Sequence, residues 1–441
     1  MRQRHHSDLM AQLRATQKEL DTDLPTPTRE ISAWSQPQFS DLEAYERIAL
    51  AQAACTQLGV SSPFFRAMEK SQGTRAVING KSCVNFASYD YLSLNHNAKL
   101  TQAVTTAVES QGVSVSASRL VGGQRDFHGE FEEKIARFLG TEDAVALVSG
   151  YLTNFSAIRT LVGEGDLVMV DARAHNSIYE GIRISGADHV SFPHNDWVWA
   201  ADYLEENRPN HRQVLIAIEG LYSMDGDTPD LQKFIDLKRK FGTWLLLDEA
   251  HSIGVLGKTG RGLCEEQGIA PDQVDIIMGT LSKSFCSCGG FLAGRAELGE
   301  LIRFGAPGFV YSVGLSVPNT AAASEAFDLL NTEPERVARL HTLGTQFQSV
   351  AHSLGLETAD AGPFAIQPVI IGDSLRAVWV SNALLDEGFN VLPIIAPAVP
   401  DQSARLRFFL NSDHSMDDIT AALETTARLI ARSKTQFSRT L

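Results

Sequence analysis

Trp244-Leu-Leu-Leu-Asp248-Glu-Ala-His251 is an apolar run that ends in two carboxylates and an imidazole. A short apolar run of this kind reads as a buried strand, and the carboxyl ends of parallel strands are where ligands bind in open sheets. The pattern returns at Asp275-Ile-Ile-Met278, which runs into Gly279-Thr280-Leu281-Ser282-Lys283-Ser284-Phe285. Together the two stretches predict neighbouring strand ends that carry an acid, an imidazole and a lysine flanked by hydroxyls.

Working outward, apolar runs at Asp143 to Val148, Leu167 to Val170 and Val214 to Ile218 predict further strands. They alternate with helical periods: Phe127, Phe131, Ile135 and Phe138 recur at helical spacing before a Gly140 stop, and Leu231 to Phe241 repeats the pattern. Strands alternating with helices imply crossover units and a mostly parallel α/β sheet covered on both faces. After about residue 335 the text changes to a strand-like Phe364 to Ile371, a helix-like Ala377 to Glu387, a strand-like Arg405 to Leu410 and a final helix from Met416 to Ala431 with Ser415 as N-cap. The predicted organisation is a polar extension over 1–45, an N-terminal segment over 46–105, a large domain over 106–335 and a small α+β domain over 336–441.

Composition narrows the class. With 44% hydrophobic and 21% charged residues in a 441-residue chain, the protein is globular and long enough for a large core. A net charge of −15 argues against nucleic acid, whose binding rests on clustered Lys and Arg. No apolar stretch is long enough for a membrane span or a signal peptide, so the expected location is the cytoplasm. The five cysteines form no CxxC pair and are expected as reduced thiols. Cys286 and Cys288 read as small packing residues, and His5 and His6 as tail residues without metal-ligand spacing.

Asp248-Glu-Ala-His251 also spells a nucleotide-hydrolysing helicase motif, which would require a Gly-x4-Gly-Lys-Ser/Thr loop. The near miss is Gly257-Lys-Thr259, but Ser252 stands where the first glycine should be and the segment follows the acidic motif. A lysine between hydroxyls, 35 positions after Asp248, instead suits pyridoxal 5'-phosphate: the lysine forms a Schiff base, the hydroxyls take the phosphate, and a carboxylate keeps the pyridine nitrogen protonated. His251 is then placed to reach the ring hydroxyl. Upstream, Ser149-Gly150-Tyr151 follows a strand and opens a helix, so its backbone N–H groups could hold the phosphate.

Several stretches resemble, in order, the motifs of the α-oxoamine synthases: Asn85-Phe-Ala-Ser-Tyr-Asp-Tyr-Leu, Ser118-Arg-Leu-Val-Gly-Gly, Ser149-Gly-Tyr, His194-Asn-Asp, Glu219-Gly-Leu-Tyr-Ser-Met-Asp-Gly-Asp, Asp248-Glu-Ala-His-Ser, Gly260-Arg-Gly, Gly279-Thr-Leu-Ser-Lys and Pro397-Ala-Val-Pro. The resemblance covers roughly residues 60 to 435 and implies the type I pyridoxal-phosphate-dependent transferase fold. The implied reaction joins glycine, serine or alanine to an acyl thioester, on coenzyme A or an acyl carrier protein, with loss of CO2. It further implies that Lys283 carries the cofactor, that His175 stacks on its ring, and that Asp248 and His251 contact ring nitrogen and ring oxygen. Thr280 and Ser282 become phosphate ligands, Ser223 lines the ring edge, and Ser312 comes from the neighbouring subunit of a homodimer with shared active sites. Arg407 matches the arginine that grips the amino acid carboxylate, with Arg405 as its control, and Tyr91 is placed beside the substrate.

The chain departs from the family pattern at four places. Tyr89 stands where many members have Asn, Ser93 where they have Gly, Cys286 follows Phe285 where relatives read Gly, and Ala398 replaces a frequent Thr. Lys283 and Asp248 alone would also allow an aminotransferase or an aldolase, and a non-catalytic synthase subunit is the reading from another class.

Overall fold

The computed structural model describes residues 36–57, 61–400 and 402–437. Most of the polar extension, with His5 and His6, lies outside the described residues. Residues 36–57 form a short 3-10 turn, Phe39–Asp41, and a helix, Glu43–Gln57.

Among the described residues fourteen strands follow: β1 (Met68–Gln72), β2 (Arg75–Ile78), β3 (Lys81–Asn85), β4 (Asp143–Leu147), β5 (Leu167–Asp171), β6 (Asp188–Phe192), β7 (Val214–Glu219), β8 (Trp244–Asp248), β9 (Ile276–Thr280), β10 (Gly290–Gly294), β11 (Ile366–Gly372), β12 (Phe389–Asn390), β13 (Leu392–Ile394) and β14 (Ala404–Phe409). The large sheet has the order β4-β10-β9-β8-β7-β5-β6. Its strands are parallel except β10, which runs antiparallel to both β4 and β9. The expected parallel α/β sheet is therefore present, with one reversed strand that the sequence reading did not assign. Gly290-Phe-Leu-Ala-Gly294 has only three apolar residues with side chains between two glycines, and pairing on both sides makes it a strand.

Alternation along the strands feeds two cores. Leu167, Met169, Ile216, Ile218, Leu245 and Leu247 belong to one buried cluster, while Val168, Val170, Leu215, Ala217 and Leu246 belong to the other. Every strand residue from Val214 to Glu219 is buried, as a sheet with helices on both faces requires. The helix Asp126–Leu139 turns Phe131, Ile135 and Phe138 inward and stops at Gly140, whose φ of 77° is left-handed.

The C-terminal part contains the sheet β11-β14-β13, the helix Ser374–Asp386 and the last helix Met416–Phe437, where Ser415 Oγ accepts from Asp418 N at 3.1 Å. The N-terminal segment pairs with a strand of the C-terminal part. Its three strands extend into a four-stranded sheet with β12, which pairs parallel to β3. Residues more than 300 positions apart thus share one sheet, and Asn390 Nδ2 donates to Asn85 Oδ1 at 2.8 Å across it.

Candidate active site

The carboxyl ends of β8 and β9 open on a cavity of about 290 Å³. Its walls include Gly150, Tyr151, His175, Asp248, His251, Thr280, Ser282 and Lys283, all assigned to the site from sequence. Asp248 is the last residue of β8, Thr280 the last of β9, and the turn after Thr280 brings Lys283 back over the strand ends.

At one end, Gly150 opens the helix Gly150–Leu161, capped by Ser149. A Cβ at Gly150 would stand 2.6 Å from Thr280 Oγ1, so glycine is what lets the helix start approach the β9 end this closely. Thr280 Oγ1 lies 3.2 Å from Ser282 Oγ. Helix-start N–H groups facing two hydroxyls form a cradle suited to a phosphate.

At the other end, Asp248 is held by a chain of polar side chains. Its Oδ2 accepts from Asn154 Nδ2 at 2.6 Å, Asn154 Nδ2 also reaches Ser177 Oγ at 3.0 Å, and Ser177 Oγ meets His175 Nδ1 at 2.8 Å. His175 is the N-cap of the helix Asn176–Ser185, which fixes its ring over the cavity. Burial pushes the imidazole of His175 down, a shift opposed by Asp248 and assisted by Lys283.

Lys283 is the group the site perturbs most usefully. Burial lowers its ammonium to about 8, against the raising effect of Asp248 and Glu219. Burial together with the charges of Lys283, Arg407 and His175 holds His251 well below its usual range, so it is a neutral imidazole. Its Nδ1 is engaged by the Tyr91 hydroxyl at 2.8 Å.

Four expected site residues do not line this cavity. Tyr91, expected beside the substrate, is fully buried behind His251. Ser223 contributes its backbone carbonyl, which accepts from Arg407 Nη1 at 2.8 Å. Arg407 stands on β14 with Nη2 at 3.4 Å from the Tyr89 hydroxyl, and its buried Nε has no hydrogen-bond partner among the described residues. Ser312 is not among the residues lining the cavity and sits beside Tyr311, which is 86% exposed.

Tyr89, Asn154, Ser177 and Glu219 line the cavity without having been assigned to it from sequence. Glu219 ends β7 directly opposite Asp248 in the parallel register. Its Oε1 is buried without a partner among the described residues, and burial followed by the charge of Asp248 holds its carboxyl well above the usual range. The signal was available: Glu219 closes an apolar strand-like run just as Asp248 does.

The residues fit pyridoxal phosphate end to end. The hydroxyl and helix-start cradle matches a phosphate, the buried carboxylate matches a protonated ring nitrogen, and a lysine with a lowered pKa stands between them.

A family model described as aminotransferase class I and II matches residues 81–425. The chain belongs to that family. Within it the chain is an α-oxoamine synthase: the 8-amino-7-oxononanoate synthase of Geobacter sulfurreducens is 38% identical over 367 residues, 82% of this chain and 93% of that one. Among solved structures, serine palmitoyltransferase from Sphingomonas wittichii superposes on this α-oxoamine synthase with a TM-score of 0.86 at 28% identity, covering 90% of this chain and 100% of that one. A structure of SPT with the PLP internal aldimine superposes equally well, at 0.86 and 29% identity with the same coverage. The large sheet, the smaller C-terminal domain and the α/β class are those of the type I pyridoxal-phosphate transferase fold.

Proposed function

We propose that this enzyme joins glycine, serine or alanine to an acyl thioester of coenzyme A or an acyl carrier protein, with release of CO2, to form an α-amino ketone. The observation that carries the reading is a buried Lys283, lowered to about 8, beside a cavity edge where Arg407 has no carboxylate partner among the described residues. Two buried cations, one kept partly neutral and one kept unpaired, suit proton removal from a substrate that brings its own carboxylate.

Pyridoxal phosphate, when bound, supplies an electron-withdrawing ring that stabilises negative charge at the amino acid Cα. Gly150 and Tyr151 N–H groups with the hydroxyls of Thr280 and Ser282 would hold its phosphate. Asp248 would keep the ring nitrogen protonated, His175 would cover the ring face and His251 would meet the ring oxygen through the nitrogen that Tyr91 leaves available. Arg407, supported by the Ser223 carbonyl, orients the amino acid through its carboxylate so that Lys283 Nζ can take the Cα proton. Lys283 afterwards holds that proton for return to the product.

The reading includes a homodimer with shared sites in the cytoplasm. Leu120, Val121, Phe304, Tyr311 and Val313 are exposed apolar side chains on the body that carries Ser312, which supports an apposed second copy bringing Ser312 to its partner's phosphate cradle. No described helix is long and apolar enough to cross a membrane.

The test is Lys283→Ala. The purified variant is expected to lose the visible absorbance of the bound cofactor and all turnover, while the unaltered enzyme releases CO2 and free thiol in equal amounts. Turnover by the variant, or product formation without CO2 and thiol, would overturn the reading.

A further inference from the structure

A second cavity, of about 500 Å³, is walled by β11, β14, the helix Ser374–Asp386 and the last helix Met416–Phe437 on one side and by two loops of the large domain on the other. It is larger than the 290 Å³ cavity at the ends of β8 and β9 and shares no lining residue with it. Its charge is unusual for this protein. Among the described residues, Arg173, Arg376, Arg405 and Lys434 line it, against the carboxylates of Asp225 and Glu357. In a chain of net charge −15, whose overall field repels anions, four cations gathered on one cavity make a local site of the opposite sign.

The four cations are not equivalent. Arg173 and Arg405 divide Asp225 between them, at 2.8 and 2.6 Å, so most of their charge is spent within the protein. Arg376 and Lys434 form no ion pair among the described residues. Arg376 is nevertheless held: its Nε donates to Ser433 Oγ at 3.2 Å, which ties the guanidinium to the residue next to Lys434, and Ser433 Oγ in turn donates to the Ile430 carbonyl. Its Nη2 is buried with no acceptor among the described residues. A buried charged donor without an acceptor is rare in a folded protein, and a guanidinium anchored at one edge presents the other to an anion in fixed geometry. Leu356 and Ile430 add apolar wall beside this charge, room for a part of the ligand that carries none.

We infer that this cavity binds a phosphorylated ligand of nucleotide size, with Arg376 and Lys434 as the phosphate ligands. A free nucleotide and the nucleotide end of a coenzyme share that chemistry. The inference does not rest on the identity of the amino acid or the acyl donor.

Calorimetric titration of the holoenzyme with ADP, adenosine and coenzyme A tests it. ADP should bind, and adenosine, which lacks the phosphates, at least about tenfold more weakly. Arg376→Gln should weaken ADP roughly tenfold, and Lys434→Gln by about three- to tenfold, with the visible absorbance of the cofactor unchanged. Lys434 is exposed, so Lys434→Gln carries the test should Arg376→Gln fail to fold. Arg428→Gln removes a cation from the same last helix, outside the cavity and paired with Glu387, and should leave ADP binding as it was. Failure of ADP to bind at millimolar concentration, indifference of its affinity to Lys434→Gln, or an equal loss in Arg428→Gln would overturn the inference. Coenzyme A separates the two sources: a matching loss of its affinity in Lys434→Gln supports the site as the seat of a coenzyme's nucleotide end, and a loss confined to ADP supports it as a site for a free nucleotide.

Discussion

Arg405 and Arg407 leave the same face of β14, two residues apart, and reach the same loop of the large domain, yet they end in opposite electrostatic states. Arg405 is ion-paired with Asp225 at 2.6 Å and also donates to the Met224 carbonyl, while Asp225 is paired again with Arg173 at 2.8 Å. Nearby, His194 bridges Asp171 and Asp227 at 2.9 and 2.8 Å. Around Arg407, by contrast, one guanidinium nitrogen and one oxygen of Glu219 are buried without partners among the described residues. Ion-paired buried charge fastens elements together, and a buried cation with no carboxylate partner is where an anionic ligand would complete the structure.

Exchanging the consequences of the two arginines is the strongest way to break this contrast. Arg405→Ala leaves Asp225 buried with only the half-exposed Arg173, and should cost about 3 kcal/mol of unfolding free energy in a denaturant titration. Its amino acid affinity should stay within a few-fold of the unaltered enzyme. Arg407→Ala should leave stability nearly unchanged, because it removes a buried cation that no carboxylate compensates, and weaken amino acid binding roughly a hundredfold. Similar stability losses for both would erase the distinction.

The same contrast explains what could be read in advance. Strand ends such as Asp248 and Thr280 were legible because apolar runs stop at them, and the catalytic spacing followed from there. Arg407 could not be separated from Arg405 by period, since both face one way; the motif match chose Arg407, and the ion pair of Arg405 with Asp225 supports that choice. Tyr89 shows in the sequence only as a departure, and its place in the cavity depends on a loop pinned at Asp90 by Cys286 and Asn411, 196 and 321 positions away. The β3 to β12 pairing was hidden for the same reason: a two-residue strand carries no period, and its partner lies in the other half of the chain.

His194 tests the ion-paired region through pH. Burial opposes its charge, but the hydrogen bonds and charges of Asp171 and Asp227 outweigh it and raise the imidazole to about 9. A His pKa raised on folding stabilises fully below the unfolded value near 6.5, and that stabilisation is lost as pH climbs through 9. The window is therefore pH 6.5 to 9, and the contribution is about 3 kcal/mol for a side chain this enclosed. Unfolding titrations at pH 6 and pH 10 should show the difference, and His194→Gln should remove it. A variant that keeps the full pH slope would mean that other groups set it.

Glu219 provides the finest test, because there the expected effect on the fold is small and its sign is the result. A carboxyl held well above the usual range keeps its proton to higher pH in the folded enzyme than in the unfolded chain. The folded state then binds the extra proton, so this group lowers stability progressively as pH rises above the unfolded value of 4.5, until it ionises in the fold as well. Glu219→Gln keeps a neutral group of the same shape opposite Asp248 and removes that penalty. The variant should match the unaltered enzyme at pH 5, exceed it modestly in unfolding free energy at pH 8, and retain the cofactor through dialysis. Asp248→Asn, made at the opposing position of the same strand pair, should release the cofactor. If instead Glu219→Gln destabilises the fold at pH 8 and releases the cofactor as Asp248→Asn does, Glu219 is a second working carboxylate, and the open end of the cavity holds two negative charges where the contrast with the Arg405 clamp requires one.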